Sequence, residues 1–167
     1  MTELDQGPWV SGNRQLVLPP HSLTTVLINT GTAASEFTHQ QVWRFQHFGT
    51  MDNTGIAADS ADSNNDGESN LYEFATGQNP YDATRVSPTA MRNGGQLEFI
   101  YTRSKAAVLD GATFTVEWSD TLAADSWGTA GISSAMVGET ARLETIKATL
   151  PAGSAGKRFV HLVISAP

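Results

Sequence analysis

Residues 62–73 read Asp-Ser-Asn-Asn-Asp-Gly-Glu-Ser-Asn-Leu-Tyr-Glu, and no other stretch restricts the chain so tightly. The segment fits D-x-[DN]-x-[DN]-G-x5-E at every fixed position, a pattern that forces a short turn to aim many oxygens at one point. Asp62, Asn64 and Asp66 supply side-chain oxygens at loop positions 1, 3 and 5. Gly67 allows the sharp bend at position 6, and Glu68 offers its backbone carbonyl at position 7. Asn70 acts directly or through water, and Glu73 closes the shell with two oxygens. An all-oxygen set of this size suits Ca2+ and not zinc, which prefers nitrogen and sulfur. The competing reading is an Asp/Asn-rich surface turn, since the same residues favour loops.

Charge follows this loop. The chain of 167 residues has a net charge of −7, with seventeen acids against ten Lys and Arg. Between Arg44 and Arg85 there is no Lys or Arg, yet that stretch holds seven acids: Asp52, Asp59, Asp62, Asp66, Glu68, Glu73 and Asp82. The other ten acids balance the ten basic residues, so the excess sits where a bound cation would offset it. No basic stripe exists to neutralise phosphates, which argues against a nucleic-acid partner. No apolar run is long enough to span a membrane. There is no cysteine, so disulfides and thiol chemistry are excluded. Met1-Thr2-Glu3-Leu4-Asp5 is acidic and polar, unlike a secretory leader. A calcium loop is most useful outside the cell, so the expectation is a piece of a longer secreted protein with Met1 as an expression start.

Three regions follow from patterning. Residues 1–31 read as β, with Leu16-Val17-Leu18 and Leu23-Thr24-Thr25-Val26-Leu27-Ile28 as strands. Two strands cannot bury a core alone, so they are expected to end an upstream β-sandwich. Residues 35–90 form a small helical calcium unit. Thr38 and Gln41 have capping-box spacing, Val42, Phe45 and Phe48 lie along one side, and Gly49 stops a helix expected at 39–48. A short helix from about Leu71 to Thr76 leaves the loop and ends at Gly77 and Pro80. There is no second copy of the loop, which argues against a paired sensor. Residues 94–167 alternate as β: Leu97, Phe99 and Tyr101, then Phe114, Val116 and Trp118, then runs at 125–130, 141–150 and 158–165. Short strands at this spacing predict an antiparallel Ig/fibronectin-like sandwich, making the fold mainly β. The nearly continuous apolar run Phe159 to Ile164 is expected at the centre of a sheet.

Trp43-Arg44-Phe45-Gln46-His47-Phe48-Gly49, then Ala57-Ala58-Asp59, Asp62 to Phe74, and Gly77-Gln78-Asn79-Pro80 resemble a unit common near the C-termini of large secreted bacterial proteins. Its loop is similar to dockerin and thrombospondin type-3 calcium loops. Glu68 departs from that pattern, which has a hydrophobic residue there; ligation through the backbone oxygen is unaffected. Phe114 to Asp120 and Arg158-Phe159-Val160 resemble the terminal β-sandwich that accompanies the unit. Leu16 to Val26 is similar to the closing strands of the β-sandwich attached to TIM-barrel glycoside hydrolases of the retaining clan A type. The resemblance implies the C-terminal accessory region of a secreted bacterial glycoside hydrolase, extracellular or at the cell surface, with the catalytic domain upstream.

Catalysis finds little support within the chain. The dense carboxylates are claimed by the loop. Glu117 and Asp120 flank Trp118 as a pair better explained by a solvated strand face. His39 and His47 lack H-E-x-x-H spacing, and no G-x-S-x-G occurs. Sugars stack on Trp and Tyr, which leaves aromatic rings as binding candidates. Trp118 shares the apolar parity of its strand and belongs to the core. Trp127 lies in a loop-like segment and is the carbohydrate candidate, with Asp125 or Arg103 as polar neighbours. The expected function is thus a non-catalytic, carbohydrate-binding accessory region with one structural calcium and a polysaccharide partner. The alternative is a structural or cell-surface attachment module without a sugar site.

Overall fold

The Thr38/Gln41 pair builds the first helix. In the computed structural model, which describes residues 37–166 apart from 87, 152 and 154–156, helix α1 spans His39–Phe48. The Thr38 hydroxyl accepts the Gln41 N–H at 3.1 Å, and the Gln41 side chain accepts the Thr38 N–H at 3.0 Å. Gly49 ends the helix in the left-handed conformation, φ 73°. Asp110 adds a long-range cap: its carboxylate accepts the N–H groups of His39 and Gln40 at 3.0 and 2.7 Å. The region expected as β at 1–31 lies outside the described residues.

Helix α2, Asn70–Thr76, leaves the loop as expected and stops at Gly77, φ 79°. A Cβ on Gly77 would lie 2.3 Å from the Leu143 side chain, so the helix end approaches the sheet as only glycine permits. The β part comprises β1 (Thr89–Asn93), β2 (Gln96–Ser104), β3 (Thr113–Ser119), β4 (Ser133–Glu139), β5 (Leu143–Pro151) and β6 (Phe159–Ser165). A short helix, α3 (Lys105–Leu109), joins β2 to β3. One antiparallel sheet has the order β1-β2-β5-β4, and β3 pairs antiparallel with β6 in a second. The chain is therefore mainly β, with antiparallel sheets and few helices.

Alternation puts one face of each sheet into a shared core. Phe99 and Tyr101 of β2, Ile146, Ala148 and Leu150 of β5, and Val116 of β3 are buried together. Trp118, Val160 and Leu162 pack against them. A second cluster joins Phe74 and Ala75 of α2 to Ala107 of α3, with Trp43, Phe114 and Ile164 alongside. Phe114 touches both clusters and is one of the contacts that fasten helices to sheets. Glu36–Pro167 form one compact unit, within which fall the stretches 36–90 and 94–167.

Two expectations need correction. Residues 125–130 are not a strand; they form a loop with one isolated bridge, Gly128 to Trp118. The Ser119 hydroxyl meets that of Ser126 at 2.5 Å and accepts the N–H groups of Thr121 and Leu122, which curls the connection instead of extending it. Strand β6 is not central among the described residues, where it pairs only with β3. Its apolar run is two faces: Val160 and Leu162 pack on the core, while His161 points the other way. Strands β1 and β4 and helix α3 had no reading in the sequence. Among the described residues β1 and β4 are exposed edges, and a bulge between Met136 and Gly138 breaks the alternation of β4. No described helix is long and apolar enough to cross a membrane.

Candidate metal centre

Backbone N–H groups curl the loop around its own carboxylates. Asp62 accepts the N–H of Asp66 at 3.2 Å and that of Gly67 at 2.8 Å. Asn64 Oδ1 accepts the Asp66 N–H at 3.0 Å, and Asp66 Oδ1 accepts the Glu68 N–H at 2.7 Å. Gly67 takes φ +90°, and a Cβ there would lie 2.1 Å from the Arg85 guanidinium. The glycine serves the bend through its positive φ, while the Arg85 side-chain tip beside it can swing away.

Glu73 turns into this ring from α2. It is 1% exposed, one oxygen accepts from Asn64 Nδ2 at 3.0 Å, and its Oε2 has no hydrogen-bond partner. Burial pushes its pKa up to about 7, with Asp66, Glu68 and Asp62 adding like charge and the Asn64 bond opposing. A buried carboxylate among carboxylates is costly for protein alone and favourable beside a divalent cation. No three His, Asp or Glu side chains among the described residues already gather at metal-binding distance. The oxygen set here includes an asparagine and backbone carbonyls, donors that suit a hard cation.

Asn70 is spent elsewhere. Its amide donates to the carbonyls of Ile56 and Ala58 at 2.7 and 2.8 Å and accepts from the Ser63 hydroxyl at 3.1 Å. With both amide hydrogens and one acceptor position used, and the residue 1% exposed, it ties the loop's approach to α2, which leaves one lone pair of its oxygen open. Arg44 and Asp59 do the same for α1. The guanidinium donates to Asp59 at 2.5 Å, and Gln40 and Asn53 donate to that carboxylate at 2.8 and 2.9 Å. Trp43 packs on Phe74 of α2 while Arg44 fastens the approach to the loop.

Trp127 lies flat on His161, ring centroids 3.9 Å apart and planes 4° from parallel. His161 shares a hydrogen bond of 3.1 Å with Glu117, its register partner on β3. Trp127, His161 and Glu117 therefore occupy the face of β3–β6 opposite the core. Asp125 is exposed in the adjoining loop. Arg103 is not brought to them: it pairs with Glu144 at 2.6 Å and sits over Phe114, whose ring points to the core side. The expected Trp127–Arg103 partnership fails because strand alternation separates them. His161 is the neighbour that sequence reading missed, because cross-strand register is invisible along the chain. Trp118 is half-buried and packs against the core, donating its Nε1–H to the Ala130 carbonyl at 2.9 Å with the Arg158 guanidinium over its ring. Asp120 pairs with Arg158, so Glu117 and Asp120 have separate partners.

A cleft of about 1100 Å3 runs between α1, α3 and the β4–β5 turn, floored by Trp43, Phe74 and Leu143. None of its described lining residues is Asp or Glu, so it offers no carboxylate pair. Comparison of the chain with protein-family models, curated proteins and solved structures found no match.

Proposed function

We propose that this chain is a non-catalytic accessory region of an extracellular glycoside hydrolase, held together by one structural calcium and able to bind polysaccharide weakly. The observation that carries the reading is the buried Glu73 carboxylate, one oxygen unpartnered, facing Asp62, Asn64 and Asp66 in a loop of the calcium pattern. In this proposal Asp62, Asn64, Asp66 and Glu73 give side-chain oxygens and Glu68 its backbone oxygen. The ion is structural because the loop has no partner loop to switch with. The two sheets are read as the layers of a small sandwich, on whose outer face Trp127 is the stacking ring.

Affinity electrophoresis against a panel of soluble polysaccharides, with and without calcium, tests the sugar reading. Retardation lost in Trp127→Ala with little change in melting temperature supports it. No retardation of the parent protein by any polymer overturns it. The second reading, an attachment module, is favoured by a different observation: Leu109, Phe37 and Val108 are 74%, 49% and 37% exposed, an apolar surface more suited to protein than to sugar.

A further inference from the structure

We infer that the metal site has a second part outside the loop: the backbone carbonyl of Asp82 joins the cation's shell, and Gln78 is the positioning residue that holds it there. This rests on the calcium reading above. Asn64 Nδ2 carries two hydrogens, yet three oxygens surround it: Glu73 Oε1 at 3.0 Å, the Asp82 carbonyl at 3.0 Å and Asp66 Oδ2 at 3.4 Å. These oxygens come from the loop, from α2 and from a segment beyond the helix. Their convergence on one electropositive group is what a cation's shell demands. The buried, unpartnered Glu73 Oε2 independently calls for a positive partner at this point.

Asn64 can turn to admit the ion. Rotating its amide brings Oδ1 toward the ring and withdraws the NH2 group. The Asp66 N–H, which then loses Oδ1, keeps the Asp62 carboxylate as acceptor at 3.2 Å, so no backbone donor is orphaned. The carbonyl of Asp82 stays where it is.

What keeps it there is a chain of polar ties across residues 78–86. Gln78 donates to the Glu68 carboxylate at 2.7 Å and accepts the Val86 N–H at 2.8 Å. Its own N–H donates to the Glu73 carbonyl at 2.7 Å, and the Asp82 N–H donates to the Asn79 carbonyl at 3.0 Å. The Arg85 guanidinium lies against Gly67 from the same side. Gln78 thus clasps loop position 7 to the far end of the segment. Paired calcium loops brace one another; here the strap 78–86 takes that place. It also gives the Glu68 carboxylate a side-chain partner.

The test is carbonyl 13C NMR of the full chain during titration with Ca2+ alone, with calorimetry in parallel. The carbonyl resonances of Glu68 and Asp82 are expected to move along one saturation curve while that of Thr84 stays. A response at Glu68 without one at Asp82 overturns the inference and leaves the calcium reading standing. No heat and no response at either overturns both. Gln78→Ala should weaken calcium binding about 10- to 100-fold, as loss of an outer-shell partner does. At saturating calcium it should shrink the Asp82 response while leaving that of Glu68. Unchanged affinity and an unchanged Asp82 response would remove Gln78 from its role.

Discussion

The helical part and the sheet part bury different chemistry. Around the loop the buried set includes Arg44, Asn70, Glu73 and Thr76 beside Ala57, Phe74 and Ala75. Between the sheets it is Phe99, Tyr101, Val116, Ile146, Ala148 and Leu150. Apolar burial is favourable for the chain by itself. A buried carboxylate facing other carboxylates is not, and needs something from outside. The comparison teaches what the calcium proposal entails: two kinds of stability in one protein, one intrinsic and one conditional on the proposed ion. Phe114 and the approach of Gly77 to Leu143 are where the two kinds meet.

The sharpest contrast comes from deleting core volume. Leu150 is 1% exposed, and Leu150→Ala should cost about 2–5 kcal/mol. That cost should be the same with calcium and with chelator; a calcium-dependent cost would break the division between the regions. Next in size is removal of the ion. At a hundredfold excess over Kd, calcium should add about 2.7 kcal/mol to the wild type and nothing to Asp66→Ala. Under chelator, hydrogen exchange should rise first across residues 57–82 and leave β2 and β5 protected.

A smaller effect follows from Glu73. Its folded pKa of about 7 lies above the ordinary value of 4.5, so between these pH values the folded state holds a proton that the unfolded state has lost. This group's contribution in the calcium-free protein is therefore fully present below about pH 4.5 and is lost as pH rises toward 7, by about 1–3 kcal/mol. Calcium should abolish the loss at high pH, and binding below pH 7 should release about one proton. Chemical denaturation at pH 5 and 8, with and without calcium, measures it; stability of the calcium-free protein rising over that interval by this residue, as judged against Glu73→Gln, would contradict the assignment. Smallest is Trp127→Ala, which removes a surface stack worth about 1 kcal/mol and should leave calcium binding untouched.

Much of the helical part was legible because its signals are local. Thr38 with Gln41, Gly49, and Gly77 each act within one helix turn, and both helices stand where those residues put them. The β strands with one buried face, β2, β3 and β5, were legible by alternation. Edges were not: β1 is exposed throughout and β4 nearly so, leaving no pattern of burial to read. Within the candidate site, the local hydrogen bonds of Asp62, Asn64 and Asp66 to the loop's own N–H groups follow from their spacing. The diversion of Asn70 to Ile56 and Ala58, and the arrival of Asp82, depend on contacts between segments and leave no mark in a loop pattern. The same holds for His161 under Trp127, which only the pairing of β3 with β6 reveals.

The central claim is that residues 62–73 hold calcium, and isothermal titration calorimetry of the wild type beside Asp66→Ala tests it most directly. The account predicts one calcium bound per wild-type chain and no saturable binding by Asp66→Ala. Equal calcium binding by the two proteins, or none by the wild type, would contradict it.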